Sequence, residues 1–101
     1  MGLEDINMAA LVLMSQTMLE KAQTGEWDDV KELENERRVL LEQFFDADEL
    51  TDEVATIQIG IQTIQQLDRR LMDLGQQKKI ELSKLLQGFN QGKKAVKAYL
   101  N

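Results

Sequence analysis

The chain has 101 residues, a net charge of −6 and 43% hydrophobic residues, of which few are aromatic; it lacks proline, cysteine and histidine. Such a length holds one small domain with an aliphatic core, too apolar to be disordered throughout. The missing cysteine removes disulfides and thiolate chemistry and fits a cytoplasmic protein, and the missing histidine excludes zinc fingers, Ser-His-Asp hydrolases and His-ligated di-iron bundles.

The first predicted helix covers about residues 5–24. Met8, Leu11, Val12, Ser15, Met18, Leu19 and Ala22 form one stripe, and Ile6, Ala10, Leu13, Met14 and Thr17 form a second. A helix apolar on two sides is buried on two sides. Asp5 or Asn7 can cap its start, and Thr24-Gly25 ends it through a left-handed glycine. Met8, Met14 and Met18 read as core filling, with an adaptable binding face as the other reading.

The second helix is predicted over about residues 26–46. Glu26, Asp28 and Asp29 suit the positive end of its dipole. Trp27, Val30, Leu33, the stem of Arg37, Leu40, Leu41, Phe44 and Phe45 recur at spacings of three and four. Trp27 is expected against the first helix, near Met18 and Ala22. Asp46 to Glu49 reads as a short connection. It lacks the glycine and oxygen ligand spacing of a calcium loop.

The third helix is predicted over about residues 51–88, with Thr51 as its cap. Val54, Ile57, Ile61, Ile64, Leu67 or Asp68, and Leu71 repeat as a heptad, resumed by Leu82, Leu85, Leu86 and Phe89. Gly88 and Gly92 read as fraying, leaving residues 89–101 as a basic tail. The fold class is therefore all-α: an antiparallel three-helix bundle with a long third helix and a short tail. Its third stripe outruns the cover of two shorter helices. A second copy of the chain, a client or a bend must bury the excess. We expect a homodimer when no client is present.

Charge is segregated. Residues 1–53 sum to −11, residues 54–77 to 0 and residues 78–101 to +5. An acidic chain is a poor nucleic-acid binder, and Lys collects naturally at a helix C-terminus. The longest apolar run, Met8 to Met14, is too short to cross a membrane, and the acids Glu4 and Asp5 before it are wrong for export. Gly92-Lys93-Lys94 lacks the rest of a phosphate loop. No nucleophile, base, metal set or cofactor motif is present, so a non-enzymatic binding protein is expected. Ile57, Ile61, Ile64, Leu71, Leu82, Leu85 and Phe89 are the candidate client-binding residues, because they supply apolar area. Tyr99 has no core role in its weak segment; it is either a contact residue or a stray tail aromatic.

The run Ser15-Gln16-Thr17-Met18-Leu19-Glu20-Lys21-Ala22, the turn, and Trp27-Asp28-Asp29-Val30 resemble the flagellar export chaperone FliT family. So do Leu33-Glu34-x-Glu36-Arg37, Phe44-Phe45 and the end Gly92-Lys93-Lys94-Ala95-Val96-Lys97-Ala98-Tyr99. The resemblance covers nearly the whole chain. It implies a cytoplasmic helical chaperone of the flagellar type III export system. The implied client is the filament cap protein FliD, kept from premature assembly and handed to the export gate protein FlhA, with the export ATPase complex as a further contact. In the family a Tyr near the C-terminus docks to the gate, and Tyr99 matches it; Lys93, Lys94 and Lys97 would steer an acidic gate surface. Some relatives carry a further C-terminal helix that masks the binding surface and helps restrain the flagellar master regulator. The given sequence stops at Asn101 and lacks it, which leaves self-masking and the regulatory role open. From the residues alone, two rivals stand beside the chaperone: a dimeric coiled-coil adaptor and a small acidic regulator that sequesters a transcription factor.

Overall fold

The computed structural model describes residues 6–46 and 52–100, with the backbone alone for residues 90, 91 and 93–100. Three helices follow one another: α1 (Met8–Gln23), α2 (Trp27–Asp46) and α3 (Val54–Leu100). They pack as an all-α three-helix bundle, up, down and up, with α1 between the other two. The first stripe of α1 is buried and meets both α2 and α3, whereas Ala10 and Leu13 of the second stripe are exposed, so the expected burial on two sides is not found. Helices α2 and α3 meet through long side chains rather than close backbones.

The ends of α1 are closed by specific groups. Asn7 is its N-cap, and its Oδ1 accepts from the Ala10 amide at 2.9 Å. The carboxylate of Asp52, just before α3, accepts from the Met8 amide at 2.8 Å. One orphan donor is thus closed from within α1 and another by the start of α3. At the far end Gly25 adopts φ +80. There the Glu26 amide donates to the Lys21 carbonyl at 2.9 Å and the Gly25 amide to the Ala22 carbonyl at 3.1 Å. These two bonds form a Schellman motif and turn the chain directly into α2. Lys21 sits between Glu26 at 3.4 Å and Asp29 at 3.6 Å. Its pKa is raised, first by the hydrogen bond to Glu26. The Glu26 carboxyl is held below its ordinary value, first by the Thr24 hydroxyl and then by Lys21. The Glu26 contribution is therefore present above the unfolded carboxyl pKa and fades as pH falls through the lowered folded value. Thr51, expected to cap the third helix, and the acidic connection up to Glu49 lie outside the described residues.

The core has two apolar clusters. One joins Met8, Leu11, Phe44, Ile57 and Ile64, with Leu40, Leu41 and Ile61 against it. The other joins Met18, Ala22 and Val30, with Trp27, Leu33, Leu71 and Leu74 against it. Trp27 reaches its predicted neighbours but is only partly buried, and its ring also lies over Gly75 of α3. Phe44 enters the core while Phe45 stays half exposed, stacked edge-on to it at 5.0 Å. Met8 and Met18 are fully buried, as core filling requires.

Helix α3 departs from the expected boundaries. It runs unbroken through Gly88 and Gly92 to Leu100, 47 residues, so the backbone of residues 89–100 is helix rather than tail. Each glycine costs about 1 kcal/mol against Ala, which does not stop a helix that has already propagated. The helix is about 70 Å long at 1.5 Å per residue, and the molecule's longest extent is 72 Å.

Gly60 and Gly88 play opposite parts. A Cβ on Gly60 would overlap the buried Met8 side chain, whereas one on Gly88 meets nothing within 4 Å. Gly60→Ala should lower the melting temperature, because overpacking costs about 1–3 kcal/mol and outweighs the propensity gain. Gly88→Ala should raise stability or helicity by up to about 1 kcal/mol. Circular dichroism melts of both variants check the pair.

Candidate functional site

Two parts of α3 meet different surroundings. Its first half carries the hairpin of α1 and α2. Ile57 and Ile64 are 7% exposed and belong to the core; Ile61 and Leu71 pack against the clusters. These four predicted client-binding residues therefore hold the bundle together and present little surface to a client. The hairpin turn ends beside Gln77, Lys78 and Glu81, where Gly25 and Trp27 line the same notch.

Beyond that notch α3 projects with no helix against it. Leu82 and Leu86 are exposed, as are Leu85 at 70% and Phe89 at 66%. Residues 82, 85, 86 and 89 share one face at helical spacing. Eighteen residues make five turns, so Leu82 stands directly in line with Ile64. The projecting face is the same stripe that the hairpin covers lower down. Three of the seven predicted client-binding residues, Leu82, Leu85 and Phe89, thus gather on an uncovered strip, joined by Leu86. Lys78, Lys79 and Lys84 against Glu81 make its described surroundings basic. Lys93, Lys94, Lys97 and Tyr99 belong by backbone to the last turns of α3, and their side chains lie outside the described residues.

What stops the covered half from sliding is a polar layer between the two apolar clusters. The Arg37 guanidinium donates to both carboxylate oxygens of Asp68, at 2.7 and 3.1 Å, and to the Ser15 hydroxyl at 3.0 Å. Ser15 in turn donates to the Leu11 carbonyl at 2.9 Å. One side chain of α2 therefore binds α1 and α3 together. The Arg37 side chain is 11% exposed and that of Asp68 35%. Arg37 was expected on the apolar face for its stem, and the Leu67–Asp68 heptad position was open. The signal for the layer was a polar residue at a core position in each of three helices. Beside it a groove of about 520 Å³ opens between α2 and α3, lined by Trp27, Val30, Leu71 and Met72.

Among the described residues no group of three or more His, Cys, Asp or Glu side chains is placed to hold a metal ion. No described helix is long and apolar enough to cross a membrane. The model of the family described as flagellar protein FliT matches residues 6–101. The chain belongs to the FliT flagellar protein family. No curated protein and no solved structure matches it. The family match spans both the hairpin and the projecting half of α3, so the uncovered strip lies within the matched residues.

The polar layer can be measured on its own. Asp68→Ala leaves Arg37 with Ser15 alone and should cost about 1–3 kcal/mol, less than a fully buried pair because Asp68 is partly solvated. Arg37→Met should cost a similar amount, and the double variant less than the sum. A denaturant double-mutant cycle should return a coupling of at least about 1 kcal/mol.

Proposed function

We propose that this chain is a cytoplasmic chaperone of the flagellar type III export system, acting as one domain over residues 1–101. It holds the filament cap protein FliD, prevents its premature assembly and delivers it to the export gate protein FlhA, with the export ATPase complex as a further contact. It acts as a homodimer when no client is bound. The observation that carries this reading is the apolar stripe of α3 continuing past the end of its own hairpin. An amphipathic helix of the client would lie along Leu82, Leu85, Leu86 and Phe89, reproducing the packing of α1 on Ile57 and Ile64.

The magnitudes suit a carrier. Burying four such side chains supplies about 6–12 kcal/mol before association costs of about 4–15 kcal/mol. That is a reversible grip, as handover requires. The last turns of α3 would meet the gate, with Lys93, Lys94 and Lys97 steering and Tyr99 anchoring. Steering between exposed charges is screened beyond about 8–10 Å, so this contact should fade from low to moderate salt.

Leu85→Asp and Phe89→Asp should weaken FliD binding at least tenfold while leaving the melting temperature unchanged, since neither side chain is buried in the bundle. Tyr99→Ala should preserve folding and FliD affinity and reduce binding to FlhA. Titration calorimetry with purified FliD and the FlhA cytoplasmic domain reads both. Unchanged FliD affinity in both Asp variants would overturn the assignment. Pull-down of a DNA-binding protein, or of neither flagellar partner, would favour the regulator or the adaptor instead.

A further inference from the structure

Among the described residues a second face is left without a neighbour, and it differs from the rest in charge. Residues 6–19, which include most of α1, and residues 54–67, which open α3, contain no Asp, Glu, Lys or Arg, in a chain that is 30% charged. The structure sets these two stretches side by side. Between them runs a groove lined by Ala9, Val12, Leu13, Gln16, Thr56, Ile59 and Thr63, with no residue of α2 in its wall. Leu13 and Ile59 stand on its two sides at 62% and 65% exposure. Two hydroxyls at this face are already satisfied: Thr63 donates to the Ile59 carbonyl at 2.8 Å and Thr17 to the Leu13 carbonyl at 3.0 Å. Covering these two therefore strands no donor. Charges occur only at its ends, Glu53 at one and Glu20 and Arg70 at the other. An uncharged centre inside a charged rim is the composition of a protein interface.

We infer that the α1/α3 groove is the surface through which two copies of this chain pair, face to face about a two-fold axis. Charge selects the occupant. Helix α2 carries seven acids against three bases, and residues 78–101 carry six bases against one acid. Self-association through either region sets like charges together. The groove is the face on which two copies of a chain with net charge −6 meet without that penalty, and a two-fold contact needs a surface complementary to itself. The area is sufficient for a reversible pair. The 16 residues of α1 span about 24 Å, and two helices about 10 Å wide make about 500 Å² per copy, near the roughly 1,000 Å² total that marks a specific interface. This deepens the homodimer of the proposed function by naming its contacting face. It moves the dimer contact away from the end of α3, whose apolar strip then stays open for a client in both copies.

The test uses the full chain without client, so it is independent of what the strip binds. Sedimentation equilibrium from 1 to 200 µM should show a dimer that dissociates on dilution. Leu13→Glu and Ile59→Glu should each raise the dimer dissociation constant at least about 100-fold, because each pairing would bury two unpaired charges. Their helical signal and melting should persist. Leu85→Glu should leave the dimer intact. Because the chain has no cysteine, Gln16→Cys gives a second measurement on an otherwise unaltered face: mild oxidation should yield a disulfide-linked dimer, whereas Ser83→Cys should yield little. A monomer throughout the concentration range, or a dimer split by Leu85→Glu and untouched by Leu13→Glu and Ile59→Glu, would overturn the inference.

Discussion

A single guanidinium holds the three helices in register. Arg37 leaves α2, bonds Ser15 in the middle of α1 and closes both arms of its fork on Asp68 of α3. Apolar packing alone does not define where α3 lies, because its stripe offers an aliphatic residue at nearly every heptad position from Ile57 to Leu71. A slip by one heptad would place Ile61 or Gly75 opposite Arg37. The largely buried guanidinium would then lose its carboxylate, a change of about 1–3 kcal/mol for this partly solvated pair. That is a sizeable share of the stability of a small domain. A paired charge in an apolar seam thus acts here as a register pin.

The length of exposed strip follows from that pin. With Asp68 fixed beside Ser15, the hairpin turn falls beside Lys78 and Glu81, and everything after it projects. Met8 over Gly60 and the Asp52 carboxylate on the Met8 amide hold the same register at the other end. One helix therefore carries one stripe through two surroundings. Its first half is an internal core, and its second half leaves the same stripe uncovered.

Much of this was legible in the residues. The main stripe of α1 foretold its buried face, though not the exposure of Ala10 and Leu13 on the second stripe; Gly25 foretold the turn, and the excess length of the third stripe the projecting end. Four features were not. The stripe has the same chemistry in Ile57 and Ile64 as in Leu82 and Leu85, so spacing could not tell core from open surface; only the position of the hairpin turn divides them. Gly88 and Gly92 looked like an ending, yet with no proline nearby their cost is too small to break a helix of this length. The uncharged α1/α3 face was hidden because its halves lie in separate helices, and each half resembles ordinary core. Arg37 and Asp68 were visible as polar residues on apolar faces, but their pairing needed the parallel arrangement of α1 and α3.

The central claim is that α3 is one helix with a clamped half and an open half. Hydrogen–deuterium exchange along α3, with and without FliD, tests it most directly. Amides from residues 57–74 should be protected in the free protein, and those from residues 80–100 should exchange at least about a hundredfold faster. Adding FliD should slow exchange across residues 80–90 and leave the clamped half unchanged. Uniform protection along the whole free helix, or protection by FliD confined to residues 57–74, would contradict the account.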